Sequence, residues 1–208
     1  TIDLVSNIGY IVTSNKIENI SNFATSLVGL LGQYKDCFCT VIDAENILNI
    51  QNSINSNFPE YLEKLTEYLE KLKSDTEKKN GFIVINGIDK FVTRVGDNTK
   101  IAKFTQLLKE YENISLIIID NYLKIKKFAF ETWFTTIFNI NNGLWIGRGI
   151  ADQNLIHISN VSREMTINYK NDMGYNINDG FASLLKLIDF YNFIICAIIM
   201  IILVIIFL

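Results

Sequence analysis

The chain has 208 residues, 49% of them hydrophobic, with a net charge of −3 and three cysteines, which is enough for one domain with a full core. The charges are mixed without a basic block, which argues against a nucleic-acid-binding surface. Cys37 and Cys39 stand two apart in a strand-like run and share a face, so they are expected as reduced thiols of a cytosolic setting rather than as a disulfide or metal pair.

Residues 9–13 (Gly-Tyr-Ile-Val-Thr) predict a first strand, and residues 23–31 carry apolar positions at helical spacing. Residues 37–42 predict a buried parallel strand ending at Asp43. Residues 46–57 are polar and predict a loop or a broken helix. Pro59 sits near the start of a helix whose apolar stripe runs through Tyr61, Leu62, Leu65, Tyr68, Leu69 and Leu72 towards residue 79. Residues 82–85 and 116–119 predict two more buried strands, with an amphipathic helix over 101–111 between them. Residues 128–138 are aromatic-rich and read as helical, and 143–147 as a fifth strand. Five apolar strands spaced by helices imply an α/β fold with a parallel sheet covered on both faces.

After Gly149 the pattern changes. Residues 154–159, 173–177 and 181–187 alternate, and Asn178-Asp179-Gly180 is a hairpin-turn signal. A small antiparallel extension at the sheet edge is the expectation. Residues 193–208 then form an unbroken apolar run of sixteen. With its flank from Phe190 it approaches the length that crosses a bilayer, so residues 189–208 are read as an apolar tail and a possible transmembrane anchor, and residues 1–188 as the domain. The start at Thr1 suggests a piece of something larger, and no N-terminal signal sequence is evident.

The first strand, the loop after it and the next helix have the layout of a phosphate-binding strand–loop–helix. A working loop needs glycines that expose backbone N–H groups, a lysine for the terminal phosphates and a Ser/Thr for magnesium. Residues 14–21 hold no glycine and no Lys-Ser/Thr pair, and Glu18 stands where positive charge is wanted. Ser14, Asn15 and Lys16 are what remains of such a site, and Lys16 is its one cation. At the end of the strand over 82–85, an acid would hold magnesium and a following glutamate would polarise water. Asn86 and Gly87 supply neither, and Asp89 comes three residues late, with a helix-capping or loop role. Both failures point to a vestigial ATP/Mg site, with no catalytic residue and no working cofactor.

Asp43 and Asp120, at strand ends, are expected to cap the helices that follow, and Asn121 is a candidate polar sensor. Arg148, between two glycines, is either a solvated loop arginine or a finger reaching a neighbouring domain's phosphate. Trp133, Phe134, Phe138 and Trp145 are mostly core, with Trp145 also a candidate interaction residue beside Arg148 and Asp89. His157 has no partner at ligand spacing, so no metal is expected.

The runs 82–91 (Phe-Ile-Val-Ile-Asn-Gly-Ile-Asp-Lys-Phe), 116–122 and 143–153 (Gly-Leu-Trp-Ile-Gly-Arg-Gly-Ile-Ala-Asp-Gln) resemble the last ATPase domain of the EssC/EccC-type FtsK/SpoIIIE ATPases of type VII secretion. The ending from Gly174 to Ile188 resembles the C-terminus of the same family, so the likeness covers nearly all of the body. It implies a RecA-like P-loop fold, a three-layer αβα sandwich with a mainly parallel sheet and a small antiparallel C-terminal extension. It further implies a place at the cytoplasmic face of the cell membrane, beside the other ATPase domains of a motor that exports helical-hairpin proteins recognised by a C-terminal signal. In that family the terminal domains often have degenerate nucleotide motifs. The apolar tail departs from the family, whose membrane spans lie far upstream. The resulting expectation is a substrate-recognition or regulatory domain without hydrolysis. The alternatives are a hydrolase completed by a partner domain, with Arg148 and Asp89 contributing, and a tail-anchored interaction protein.

Overall fold

Among the described residues seven strands form one sheet, in the order β2-β3-β4-β1-β5-β6-β7. The computed structural model describes residues 7–16, 18–33, 37–48, 50–72, 80–166 and 173–187. In chain order the elements are β1 (Gly9–Ser14), α1 (Glu18–Leu31), β2 (Cys37–Asp43), α2 (Phe58–Leu72), β3 (Asn80–Asn86), α3 (Ile88–Val95), α4 (Asn98–Leu108), β4 (Ile114–Asn121), α5 (Tyr122–Lys126), α6 (Thr132–Ile137), β5 (Gly143–Ile146), β6 (Met173–Asn178) and β7 (Phe181–Lys186). Two short 3-10 turns, Ile150–Asp152 and Arg163–Thr166, lie between β5 and β6.

The first five strands are parallel, as expected from their continuous apolar runs. The connection from β1 to β2 crosses the sheet one way; every later parallel connection crosses it the other way. Right-handed crossovers then put α1 on one face and α2–α6 on the opposite face. The two cores follow this division. Ile20, Ala24, Leu27, Val28 and Leu31 of α1 pack with Val12, Val84 and Ile119, whereas the helices after β2 pack with Ile11, Ile83 and Ile118. Adjacent strand residues thus feed opposite cores.

The antiparallel hairpin β6–β7 extends the sheet beyond β5. Its turn has positive φ at both central residues, Asp179 (49°) and Gly180 (79°), the I′ geometry that matches strand twist.

Three expectations are corrected. Residues 154–159 form no strand: the Gln153 side chain accepts from the N–H groups of Leu155 (2.7 Å) and Ile156 (2.8 Å) and donates to the Ile156 carbonyl (2.7 Å). That clamp replaces ladder bonds with a side-chain-bound turn, and neighbouring Leu155 and Ile156 are both buried. Residues 128–138 are not one helix: a turn precedes α6, and Phe130 on it is 94% exposed. β2 is an edge strand, half-buried over Cys37–Thr40, and not fully buried. The helical stripe expected through residue 79 is described as far as Leu72, and residues 73–79 lie outside the described set. The apolar tail at 189–208 also lies outside it; among the described residues no helix is long and apolar enough to cross a membrane.

Candidate functional site

The C-terminal ends of β1, β2, β3 and β4 meet at one edge of the sheet, where open α/β folds bind ligands. Ser14 closes β1 and is fully buried. Its hydroxyl donates to Asn15 Oδ1 (3.4 Å) and accepts from the backbone N–H of Lys16 (3.3 Å). The side chains of Asn15 and Lys16 are exposed. Asn121, at the end of β4, ties this loop down by donating its amide to the Asn15 carbonyl (2.7 Å). Its side-chain Oδ1 caps α5 by accepting from Leu123 N–H (2.9 Å).

The loop after β5 closes over the same place. Gly149 has φ 85°, and a Cβ there would stand 3.0 Å from Asn15 Nδ2, so both conformation and contact call for glycine. Arg148 is exposed beside it, and its carbonyl accepts from the Trp145 indole N–H (3.0 Å). Ser14, Asn15, Lys16 and Arg148 are therefore brought to one locality. Trp145 is 0% exposed and packs on Tyr122, with ring centroids 5.5 Å apart. Its expected interaction role is corrected: it buttresses the Arg148 loop from inside, as its apolar area favours. Trp133, Phe134 and Phe138 are buried as well.

Asn86 ends β3, two strands away from Ser14, and is 1% exposed. Its amide donates to Asp43 Oδ1 (2.7 Å). The same oxygen accepts from Asn46 N–H (3.0 Å), and Oδ2 accepts from Leu48 N–H (2.7 Å). Both oxygens of the buried Asp43 are thus held by donors within the chain. Next to it, a Cβ on Gly87 would come within 2.6 Å of Glu45 Cγ, so a side chain at 87 displaces Glu45.

Asp120, also buried, accepts from the N–H of Asn121 (2.7 Å) through Oδ1 and from the N–H of Asp89 (3.2 Å) through Oδ2. Lys124 reaches Asp120 (3.4 Å) and Glu45 (2.6 Å), and Lys90 reaches Glu45 (3.6 Å). Burial pushes the Asp120 carboxyl up from its ordinary range, against the pull of its hydrogen bonds and Lys124. Burial also pushes Glu45 up, but bonding and charge from Lys124 and Lys90 outweigh it and hold Glu45 low. Burial works against the charged Lys124, yet Glu45 and Asp120 raise it.

The strand-end aspartates do not cap the helices that follow them. Asp43 organises a loop, and Asp120 caps α3, which precedes β4 in the chain. Asp89 is not a cap itself. It is the second residue of α3, and its carboxylate pairs with Lys127 (2.7 Å). Glu45, Lys90 and Lys124 went unread in the sequence. Only the i,i+4 spacing of Asp120 and Lys124 signals the pairing. His157 is exposed, and no cluster of metal-ligating side chains occurs among the described residues.

No protein-family model and no curated protein sequence matches the chain. Among solved structures it is similar to EssC (ATPases 2 and 3) from Geobacillus thermodenitrificans, with a TM-score of 0.66 at 11% identity over 90% of this chain and 38% of that one. The cytoplasmic domain of the Thermomonospora curvata type VII secretion ATPase EccC gives 0.63 at 15% identity, covering 89% of this chain and 24% of that one. EccC (ATPases 2 and 3) of the same organism, in complex with a signal sequence peptide, gives 0.62 at 14% identity, covering 89% and 37%. The chain spans well under half the length of each of these structures. With its mostly parallel sheet, helices on both faces and antiparallel C-terminal pair, the chain has the αβα fold of the ATPase domains of type VII secretion motors.

Proposed function

We propose that residues 1–188 act as an ATPase-like docking and regulatory domain of a type VII secretion motor and do not hydrolyse nucleotide. The observation that carries this reading is the self-contained chemistry of the sheet edge. Asn86 stands where a metal-holding acid would be needed, and its amide is spent on Asp43, whose oxygens are already bonded. The residues present do not fit a magnesium–triphosphate group. The loop over 14–16 folds its own Lys16 N–H onto Ser14, and no glycine frees further N–H groups to wrap a phosphate. At position 87 the backbone has φ 80°, and any side chain there would have to displace Glu45, which disfavours a water-polarising glutamate.

The partners this reading implies are the neighbouring ATPase domains of the motor and the C-terminal signal of a secreted substrate, at the cytoplasmic face of the membrane. The likeness to an EccC structure holding a signal sequence peptide supports the second. Thermal unfolding of the whole chain with and without millimolar MgATP tests it. A non-binding site shifts the melting temperature by less than about 1 °C, because only ligand bound to the native state stabilises it. A shift of several degrees together with turnover above background overturns the proposal.

A further inference from the structure

The two lateral edges of the sheet are finished differently. β7 is partly closed by Asn160, which bonds both backbone groups of Ala182. Among the described residues β2 has one strand neighbour, β3, and pairs with it residue for residue from Cys37 to Asp43, with no bulge. Over residues 37–42 it carries no charge and no proline, two devices that keep a foreign strand off an edge.

Part of that edge already holds an extended piece of the chain. Ile54 donates its N–H to the Val41 carbonyl (2.8 Å) and accepts from the Asp43 N–H (2.8 Å), a parallel bridge opposite Ile42. This fixes the orientation of β2: the backbone groups of its odd-numbered residues point away from β3. Those of Cys37 and Cys39 therefore face outward, and they have no partner among the described residues. Two such N–H and C=O pairs, roughly 6.6 Å apart, match the repeat of an extended backbone, whereas a helix spends its own groups internally.

α2 forms a wall along this opening. Tyr61, Lys64 and Tyr68 share one flank of the helix, at i, i+3 and i+7, while Glu63 and Glu70 on the other flank pair with Lys100 and Lys103 of α4. Tyr68 meets Phe38 edge-on, with ring centroids 5.5 Å apart, and Phe38 lies over Gly81, where a Cβ would have no room. Beside Ile54, a cavity of about 240 Å³ is lined by Ser53, Asn55, Ser56, Asn57, Tyr61 and Lys64. From Tyr61 to Tyr68 the helix advances about 10 Å, and from Phe38 to Ile42 the strand advances about 13 Å, so wall and open edge run side by side. Lys64 pairs with Glu60 (2.6 Å), which leaves the wall without net charge.

We propose that the β2 edge and the Tyr61–Tyr68 wall form a docking groove for an extended, uncharged segment of a partner protein, whether or not the strand ends bind nucleotide. The segment adds as a further strand beside Cys37 and Cys39, and its end meets Ile54 and the cavity. Backbone bonds supply the attachment, and the aromatic wall selects a neutral strand over a charged one.

The probe is a short fluorescein-labelled peptide of alternating valine and threonine, with a lysine at each end for solubility. Added to the whole chain, it is expected to bind saturably below about 1 mM by fluorescence anisotropy. At saturation, hydrogen exchange at Cys37 and Cys39 should slow at least about fivefold, with exchange at Ile83 in β3 unchanged. The same peptide N-methylated at every residue has no N–H to offer the edge and should bind at least about tenfold more weakly. Cys39→Pro removes an outward N–H at a position where an edge strand tolerates proline, and should weaken binding at least about tenfold while protection at Ile83 persists. Tyr68→Ala, in the exposed part of the wall, should weaken it about threefold or more. No saturable binding up to about 1 mM, equal binding of the N-methylated peptide, or protection confined to other amides overturns the proposal. So does self-association of the chain that protects Cys37 and Cys39 without peptide, which would make the occupant a second copy.

Discussion

Glu45 shows how one side chain reorganises a site. It fills the space above Gly87, pairs with Lys124 and Lys90, and adds negative charge beside buried Asp120. Glu45→Gln is expected to cost about 1 kcal/mol at pH 7, the scale of a partly buried ion pair, as read by urea unfolding. The sign with pH follows from Glu45 being held low in the fold. Its charge contributes stability above the ordinary glutamate range, and that contribution is lost as pH falls through the lowered folded value. The difference between Glu45→Gln and the native chain should therefore narrow as pH is lowered from 7 through and below the glutamate range; a gap that stays constant down to acid unfolding would mean that Glu45 acts by packing alone. At this scale the negative half of the site was legible, because missing glycines and the neutral Asn86 are local facts. Its positive half was not. The Asn86–Asp43 and Asn121–Asn15 bonds join residues 43 and 106 positions apart, and no periodicity predicts which distant carboxylate an amide will meet.

Among the elements, those with a strong local signal were legible. The apolar runs of β3 and β4 and the Asn-Asp-Gly turn of the last hairpin stand where the pattern puts them. The segment over 154–159 failed because a side chain, Gln153, supplied the backbone bonds that a ladder would have supplied. A second side chain of this kind guards the sheet edge. Asn160 accepts from Ala182 N–H (2.8 Å) and donates to the Ala182 carbonyl (2.9 Å), closing part of β7 that would otherwise offer itself for pairing. Asn160→Ala should destabilise the chain by about 1–2 kcal/mol, the cost of two lost bonds at an edge that water reaches in part. It should also speed hydrogen exchange at Ala182 over exchange at Ile85, in a central strand. Unchanged protection at Ala182 would show that the Asn160 amide does not seal the edge.

Across the whole molecule, the α/β class was legible and the strand order was not. The order depends on which way each connection crosses the sheet, and nothing local to β1 states that the next strand in the chain, β2, lies at the edge beyond β3 and β4. The consequence is an asymmetric molecule in which one described helix holds a face that five helices hold on the other side. α1 lies against the sheet with Ala24 fully buried and an apolar row on either side of it. A small residue there permits close approach, and with no second described helix on that face there is no neighbour to share a displacement. Ala24→Leu is expected to lower stability by about 1–3 kcal/mol through overpacking, measured by chemical denaturation. Asn22→Leu, two residues before it on the exposed side of the same helix, should change stability by less than about 0.5 kcal/mol. Because the strain falls on the face that α1 holds, exchange should quicken at amides of α1 before those of α2 and α4, which pack on the other side. Equal sensitivity at positions 22 and 24 would mean that α1 rides loosely on the sheet and that the α1-side core is held by something other than that helix.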